Sequence, residues 1–318
     1  MKYEILLFSI TLVFSLEAVS QAKKVNVRLS EGIACVSGKY KLIFNDEFEG
    51  STLDTSKWYT FYPYGPKSQL DSCSFCRTHN SANIYRDENC TVKDGKLYLK
   101  TLVEKGNWFG RNFDYTSGLV HSKQTFNTYS KYEIKCKLPK GKQQWPSFWI
   151  FGWNTEIDIF EFICKGPKHL EFSIHNWNTE KCPDRKRADS GAPCYSSQSG
   201  MIDFGIDFSK DFHIFSIEYE PHMIKYYIDD IMVRYVPKYY DLKGRPVNSC
   251  NIPTGDYLME PSFPNYGEPV QVIASQSVCR KHKQKKPVFP NDMEVDYIRV
   301  YQKEIQNGLS EIKDLLTP

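Results

Sequence analysis

The chain has 318 residues, 41 Lys and Arg against 38 Asp and Glu, and a formal charge of +3. With 41% hydrophobic and 25% charged residues, it is not a disordered, collagen-like or coiled-coil chain. The mild positive balance offers no concentrated basic stripe for nucleic acid, and an aromatic share of 15% favours strands and flat ligands.

Residues 1–22 read as a signal peptide. An apolar run from Ile5 to Phe14 follows Lys2, and Ala18-Val-Ser20 and Ser20-Gln-Ala22 offer small-residue cleavage sites. The run is too short to span a bilayer and no second long apolar segment follows, so the expected mature protein is secreted, soluble and without a membrane span. Ten cysteines follow: Cys35, Cys73, Cys76, Cys90, Cys136, Cys164, Cys182, Cys194, Cys250 and Cys279. In an oxidising compartment an even set predicts up to five disulfides. Cys73-Ser-Phe-Cys76 also resembles half of a zinc site, but no second half stands at matching spacing.

From about residue 40 to 301 short alternating segments succeed one another. Lys96–Leu102, Tyr132–Leu138 and Phe215–Glu220 alternate with period two. Pro221-His222 turns the chain into Met223–Ile228, and Asp229-Asp230 turns it again into Ile231–Tyr235. Helical stripes are missing until the tail at 303–318, where Ile305, Leu309, Ile312 and Leu315-Leu316 suggest a short amphipathic helix. With no linker or repeat, the pattern predicts an all-β sandwich, with residues 23–302 as one domain.

The run Glu156-Ile-Asp-Ile-Phe-Glu161 places three acids in an otherwise apolar, strand-forming segment, where a plain core strand would not have them. Glu156 and Asp158 share a face by alternation, whereas Glu161, five positions on, points the other way. A one-residue bulge near Ile159-Phe160 returns it to the common face. The two glutamates then stand roughly 13 Å apart at Cα at ~3.3 Å per residue. Side chains leaning inward narrow this toward the ~5–5.5 Å of retaining glycosidases rather than the ~6.5–9.5 Å of inverting ones. Crowded carboxylates keep at least one of their number protonated, so one can donate a proton while another attacks. A cation bound by the three acids is the alternative.

These residues resemble the E-x-D-x-x-E signature of family 16 glycoside hydrolases, in the bulged form of the laminarinase type. Phe44-Asn-Asp-Glu-Phe48, Ser117–Lys123, Lys137-Leu-Pro-Lys-Gly141, Trp145-Pro-Ser-Phe-Trp149 and Met293–Tyr301 resemble further family segments in the family's order. The resemblance spans about residues 40 to 302. It implies a jelly-roll of two antiparallel sheets whose concave face binds a polysaccharide, and an endo-acting, retaining double displacement without a cofactor. Glu156 matches the nucleophile, Glu161 the general acid/base and Asp158 the assisting carboxylate. It also implies a substrate role for His175 and a cleft-bordering loop at Asn83 and Tyr85.

Trp145 and Trp149 share a face, either the cleft or the core, and Trp177 shares the parity of His175 as a stacking candidate. His175 reads equally as a satisfied core histidine. A structural calcium is implied on the opposite side, held by the Asp296 side chain and backbone oxygens near Glu47 and Gly95. Asn89-Cys-Thr91 fits a glycosylation sequon.

The expected substrate is a β-1,3- or β-1,3/1,4-glucan, and the expected protein is a monomer. The chain departs from the laminarinase pattern at Tyr129-Ser-Lys131 and at Pro269–Val278, where a glycine pair is usual. Basic runs at Asp184–Arg187 and Arg280–Lys286, if beside the cleft, favour a sulfated galactan. A transglycosylase of the same family and a non-catalytic glycan-binding lectin are the other readings. Lectins on this scaffold typically lose one or both glutamates, and all three acids are present here.

Overall fold

The computed structural model describes residues 23–27, 38–62, 76–78, 80–127, 130–152, 154–177, 195–247, 252–264, 268–280 and 289–303. The signal segment, the tail helix beyond Lys303 and most of the two basic runs lie outside the described residues. No described helix is long and apolar enough to cross a membrane.

The alternating segments form strands. Lys96–Trp108, Ser130–Lys137, His213–Glu220, Met223–Ile228, Ile231–Pro237 and Asn291–Lys303 belong to one ten-stranded sheet. Asp229 and Asp230, both at positive φ, make the tight hairpin turn between two of them. A seven-stranded sheet lies against it, in the order Tyr195–Asp203, His169–Trp177, Thr155–Glu161, Gln144–Phe151, Gln271–Val278, Leu119–Ser122 and Trp58–Tyr59. The core fills the space between the sheets, joining Phe148, Ile150, Ile157 and Phe172 from one to Ile134, Ile217, Tyr226 and Val295 from the other.

Two features depart from a plain pair of antiparallel sheets. A third, three-stranded sheet joins Lys23–Val27 to Gly255–Met259 and Tyr239–Tyr240, around a small cluster of Val27, Tyr239 and Ile252. Asn83–Tyr85 runs parallel to Arg111–Ser117.

Of the cysteines, Cys164 and Cys279 are bridged, with Cα atoms 5.9 Å apart across 115 residues of sequence. Cys76 is disulfide-bonded and is therefore no zinc thiolate. Cys90 and Cys136 are free and buried, which limits the ten cysteines to four disulfides. Both lie in the apolar core, where burial pushes the Cys90 thiol up to about 12 and raises that of Cys136. Asn89 is buried, its amide bonded to Lys100 O and Thr116 Oγ1, so the folded chain does not present the sequon.

Candidate active site

Thr155–Glu161 is a central strand of the seven-stranded sheet, and its pairing shows how three acids reach one face. Asp158 pairs with Ser173 and Glu161 with Glu171, so two residues, Ile159 and Phe160, oppose the single Phe172. Against the other neighbour, Trp149 pairs with Asp158 and Phe148 with Phe160, which leaves Ile159 as the extra residue. This is the expected bulge. Ile157, Ile159, Phe160 and Phe162 all join the core, and Glu156, Asp158 and Glu161 line one open cleft of about 330 Å³. Replacing Phe160 with Ala would cost about 3–5 kcal/mol through lost burial and the void left behind.

Each acid faces a different partner on the strand His169–Trp177: Glu156 pairs with His175, Asp158 with Ser173 and Glu161 with Glu171. His175 Nε2 lies 3.1 Å from Asp158 Oδ2, and polar atoms of Glu156, Asp158 and His175 lie within 4.8 Å of one another. On the opposite side the indole N–H of Trp145 donates to Glu161 Oε1 at 2.9 Å. Asp158 is only 2% exposed. Its burial, aided by the charge of Glu171, pushes its carboxyl up to about 8. Burial likewise raises Glu161 well above the usual carboxylate range, reinforced by Asp158 and opposed by the Trp145 bond. An all-oxygen calcium cage is a poor match, because the third member beside Glu156 and Asp158 is an imidazole.

Trp145 is half-buried and faces the cleft. Trp149 also lines it but is 6% exposed, packed with Tyr62, Tyr85, Leu119, Phe151 and Ile273 as a floor rather than an open stacking surface. His175 belongs to the site through Asp158. Trp177 pairs with Tyr195, and its side chain lies outside the described residues.

Asn83 is a correction. It is fully buried, and its carbonyl accepts from Val278 N at 2.9 Å, so it braces the strand Gln271–Val278 and does not face the cleft. Tyr85 is also buried, its hydroxyl bonded to Tyr62 and Ser277.

Sequence reasoning missed Tyr62, Ser147, Ser275 and Ser277, which complete the lining. The signal was present in the alternating serines of Gln271–Val278, Ser275 and Ser277: Ser147 and Ser275 meet across the strands at 3.0 Å.

The calcium set is brought near but does not fit. Asp296 sits at a bulge in Asn291–Lys303, close to the pairings Asp46 with Ile298 and Val295 with Leu97 that deliver Glu47 and Gly95. The Asp296 carboxylate, however, meets Lys135 Nζ at 2.7 Å, and Glu47 is held by both arms of Arg299. An ion there would face an ammonium beside its one side-chain ligand. Of the basic runs, Arg280 is described, donating to Ser81 O at 3.0 Å.

The model of glycosyl hydrolases family 16 matches residues 77–258, more than half of the chain. The chain belongs to glycosyl hydrolases family 16. Among relatives of this family-16 chain, a glucan endo-1,3-beta-glucosidase of Cryptopygus antarcticus is 30% identical, over 62% of this chain and 69% of the relative. Glucan endo-1,3-beta-glucosidase A1 of Niallia circulans is 27% identical over 83% of this chain, which spans only 38% of that longer protein. In fold, the chain is similar to the catalytic domain of an endo-1,3-beta-glucanase (laminarinase) from Thermotoga petrophila RKU-1. The TM-score is 0.62 at 24% identity, covering 84% of this chain and all of that one.

Proposed function

We propose that this family-16 chain is a secreted, retaining endo-β-glycosidase that hydrolyses β-1,3- or β-1,3/1,4-glucan. The observation that carries the reading is the bulged strand, which sets Glu156, Asp158 and Glu161 side by side in a cleft. Two relatives named as glucan endo-1,3-beta-glucosidases support the substrate class.

The two glutamates divide the work by environment. Glu161, whose proton affinity burial and Asp158 raise, enters the first step protonated. It gives that proton to the leaving glycosidic oxygen while the Glu156 carboxylate attacks the anomeric carbon; the C–O bond breaks and a glycosyl ester forms. In the second step Glu161, now ionised, takes a proton from water. The resulting hydroxide oxygen bonds to the anomeric carbon, Glu156 leaves as carboxylate, and two inversions restore the configuration. Trp145 fixes the acid's orientation through its N–H bond. Asp158, protonated near neutrality, avoids a second negative charge beside the Glu156 carboxylate and, with His175, holds the centre of the cluster.

The test is the product profile of the purified mature chain on laminarin, lichenan, xyloglucan, agarose, porphyran and carrageenans, with Glu156→Ala as the blank. Oligosaccharides from laminarin or lichenan, released with the β-anomer first by NMR, are expected. Cleavage confined to a sulfated galactan would replace the substrate and keep the mechanism. Binding without cleavage would remove the enzymatic reading.

A further inference from the structure

The strand beside the acids carries a fourth carboxylate that the mechanism above does not use. Leu170, Phe172 and Ile174 are buried in the core, so alternation puts Glu171, Ser173 and His175 on the cleft side. Glu171 pairs directly with Glu161. Among the described residues no hydrogen bond or ion pair to the Glu171 side chain occurs. Like charges set directly opposite across two strands oppose folding, and such a pair would ordinarily be relieved by a cation or replaced.

Among the described residues no cation forms an ion pair with Glu171, the ammonium of Lys165 being engaged on the neighbouring Met201. On its own strand Glu161 has Glu156 and Asp158 as charged neighbours, and across the strand His175 stands beyond Ser173. The strand Gln144–Phe151 brings Trp145 and Ser147, neither of which ionises near neutrality, and behind it stand Ser275 and Ser277. Outward from Glu171 lies Met201, whose sulfur takes Lys165 Nζ at 3.0 Å. From the facing sheet Arg234 reaches Phe172 O and Gln198 Oε1.

We propose that Glu171 is a positioning residue for the catalytic proton: its carboxylate, set opposite Glu161, holds that proton in place to higher pH. The proposal rests on the reading of Glu161 as general acid. Burial is the main reason that Asp158 and Glu161 hold their protons, and the charge of Glu171 adds to it in the same direction on both, more weakly on Glu161 than Asp158 does. With Glu171 ionised, a second negative charge on Glu161 is disfavoured, so the acid stays loaded for the first step over a wider range. The stability lost to the like-charge pair is the counterpart of that gain.

The experiment is the pH profile of kcat/KM for Glu171→Gln, with Glu171→Ser as a second variant in case the amide disturbs the strand, and Glu171→Asp as the conservative control. Removing the charge should move the alkaline limb down by about half a unit to one unit, the size of one partly screened charge at cross-strand distance. KM and the acidic plateau should change by less than about twofold. Glu171→Asp should keep the limb near its original place. An aryl glycoside with a good leaving group, which needs little proton donation, should show no movement of its limb. In parallel, the side-chain carboxyl carbon of Glu161, followed by NMR titration, should titrate lower in Glu171→Gln whether or not any glycan is cleaved.

An unmoved limb together with an unmoved titration in both neutral variants would overturn the proposal. So would a loss of equal size at every pH carried by KM, which marks a sugar contact. If the wild-type chain cleaves nothing, the function reading fails, and the NMR titration still decides the role of Glu171.

Discussion

The bulged strand Thr155–Glu161 of the seven-stranded sheet and the bulged strand Asn291–Lys303 of the ten-stranded sheet both carry acids, and they treat most of those acids in opposite ways. On Asn291–Lys303 and its neighbours four acids have cations: Glu133 meets Lys131 at 2.7 Å, Asp296 meets Lys135 at 2.7 Å, Glu294 meets Lys137 at 2.6 Å, and Glu47 meets the guanidinium of Arg299. Asp292 forms no ion pair among the described residues, and burial raises its carboxyl. In the cleft Glu156, Asp158, Glu161 and Glu171 crowd together, and the basic group hydrogen-bonded among them is His175. Matched charges at a surface contribute little and cost little. Unmatched carboxylates that are partly buried must share protons, and shared protons are what acid–base chemistry uses. The charge pattern therefore sets the ion-paired acids beside Asn291–Lys303 apart from the acid cluster of the cleft.

The largest break in that contrast comes from Glu156→Ala, expected to lower kcat on the order of 10⁴-fold or more with binding retained. Substantial remaining turnover in a burst-free assay would take the nucleophile role from Glu156. Next is Glu161→Ala, with a loss of about 10²–10⁴-fold on substrates with poor leaving groups. Azide should restore turnover as a glycosyl azide of retained configuration, and an inverted product would exchange the roles of the two glutamates. Removing the cystine by Cys164→Ser with Cys279→Ser should cost about 2–5 kcal/mol in denaturant unfolding, since it closes a long loop.

The cleft should also leave a mark on stability. Asp158 holds its proton up to about 8 in the folded chain and only to about 4 when unfolded. Between those values the native state binds the extra proton, so stability falls as pH rises and levels off above about 8. In Asp158→Asn the decline in Tm from pH 4 to 8 should flatten, and an unchanged slope would refute the buried-acid account. The smallest effect is on the matched side: Lys135→Met should shift stability by no more than about 1 kcal/mol by thermal unfolding.

Much of this was legible because strand periodicity is a local property. The acid run, its bulge and the inward set Ile157, Ile159, Phe160 and Phe162 follow from alternation and from the unfavourable burial of acids. Register is not local. Nothing in the sequence says that Glu171 stands opposite Glu161 or that Trp145 reaches back to the same carboxylate, because both depend on how three strands slide past one another. Asn83 was misread for the same reason: a polar residue near the cleft in sequence terms turned inward to satisfy the backbone of Val278. The Lys135 ammonium beside Asp296 was equally hidden, since the pair is separated by most of the carboxyl-terminal half of the chain.

The bulge at Ile159-Phe160 ties reactivity to architecture in a single insertion. Both Ile159 and Phe160 sit in the core, so deleting either one would empty a side chain's worth of space between the sheets, while the shortened run of acids would keep one face by plain alternation. The bulge therefore adds a buried side chain and lengthens the gap between Asp158 and Glu161 without changing the face that the acids share.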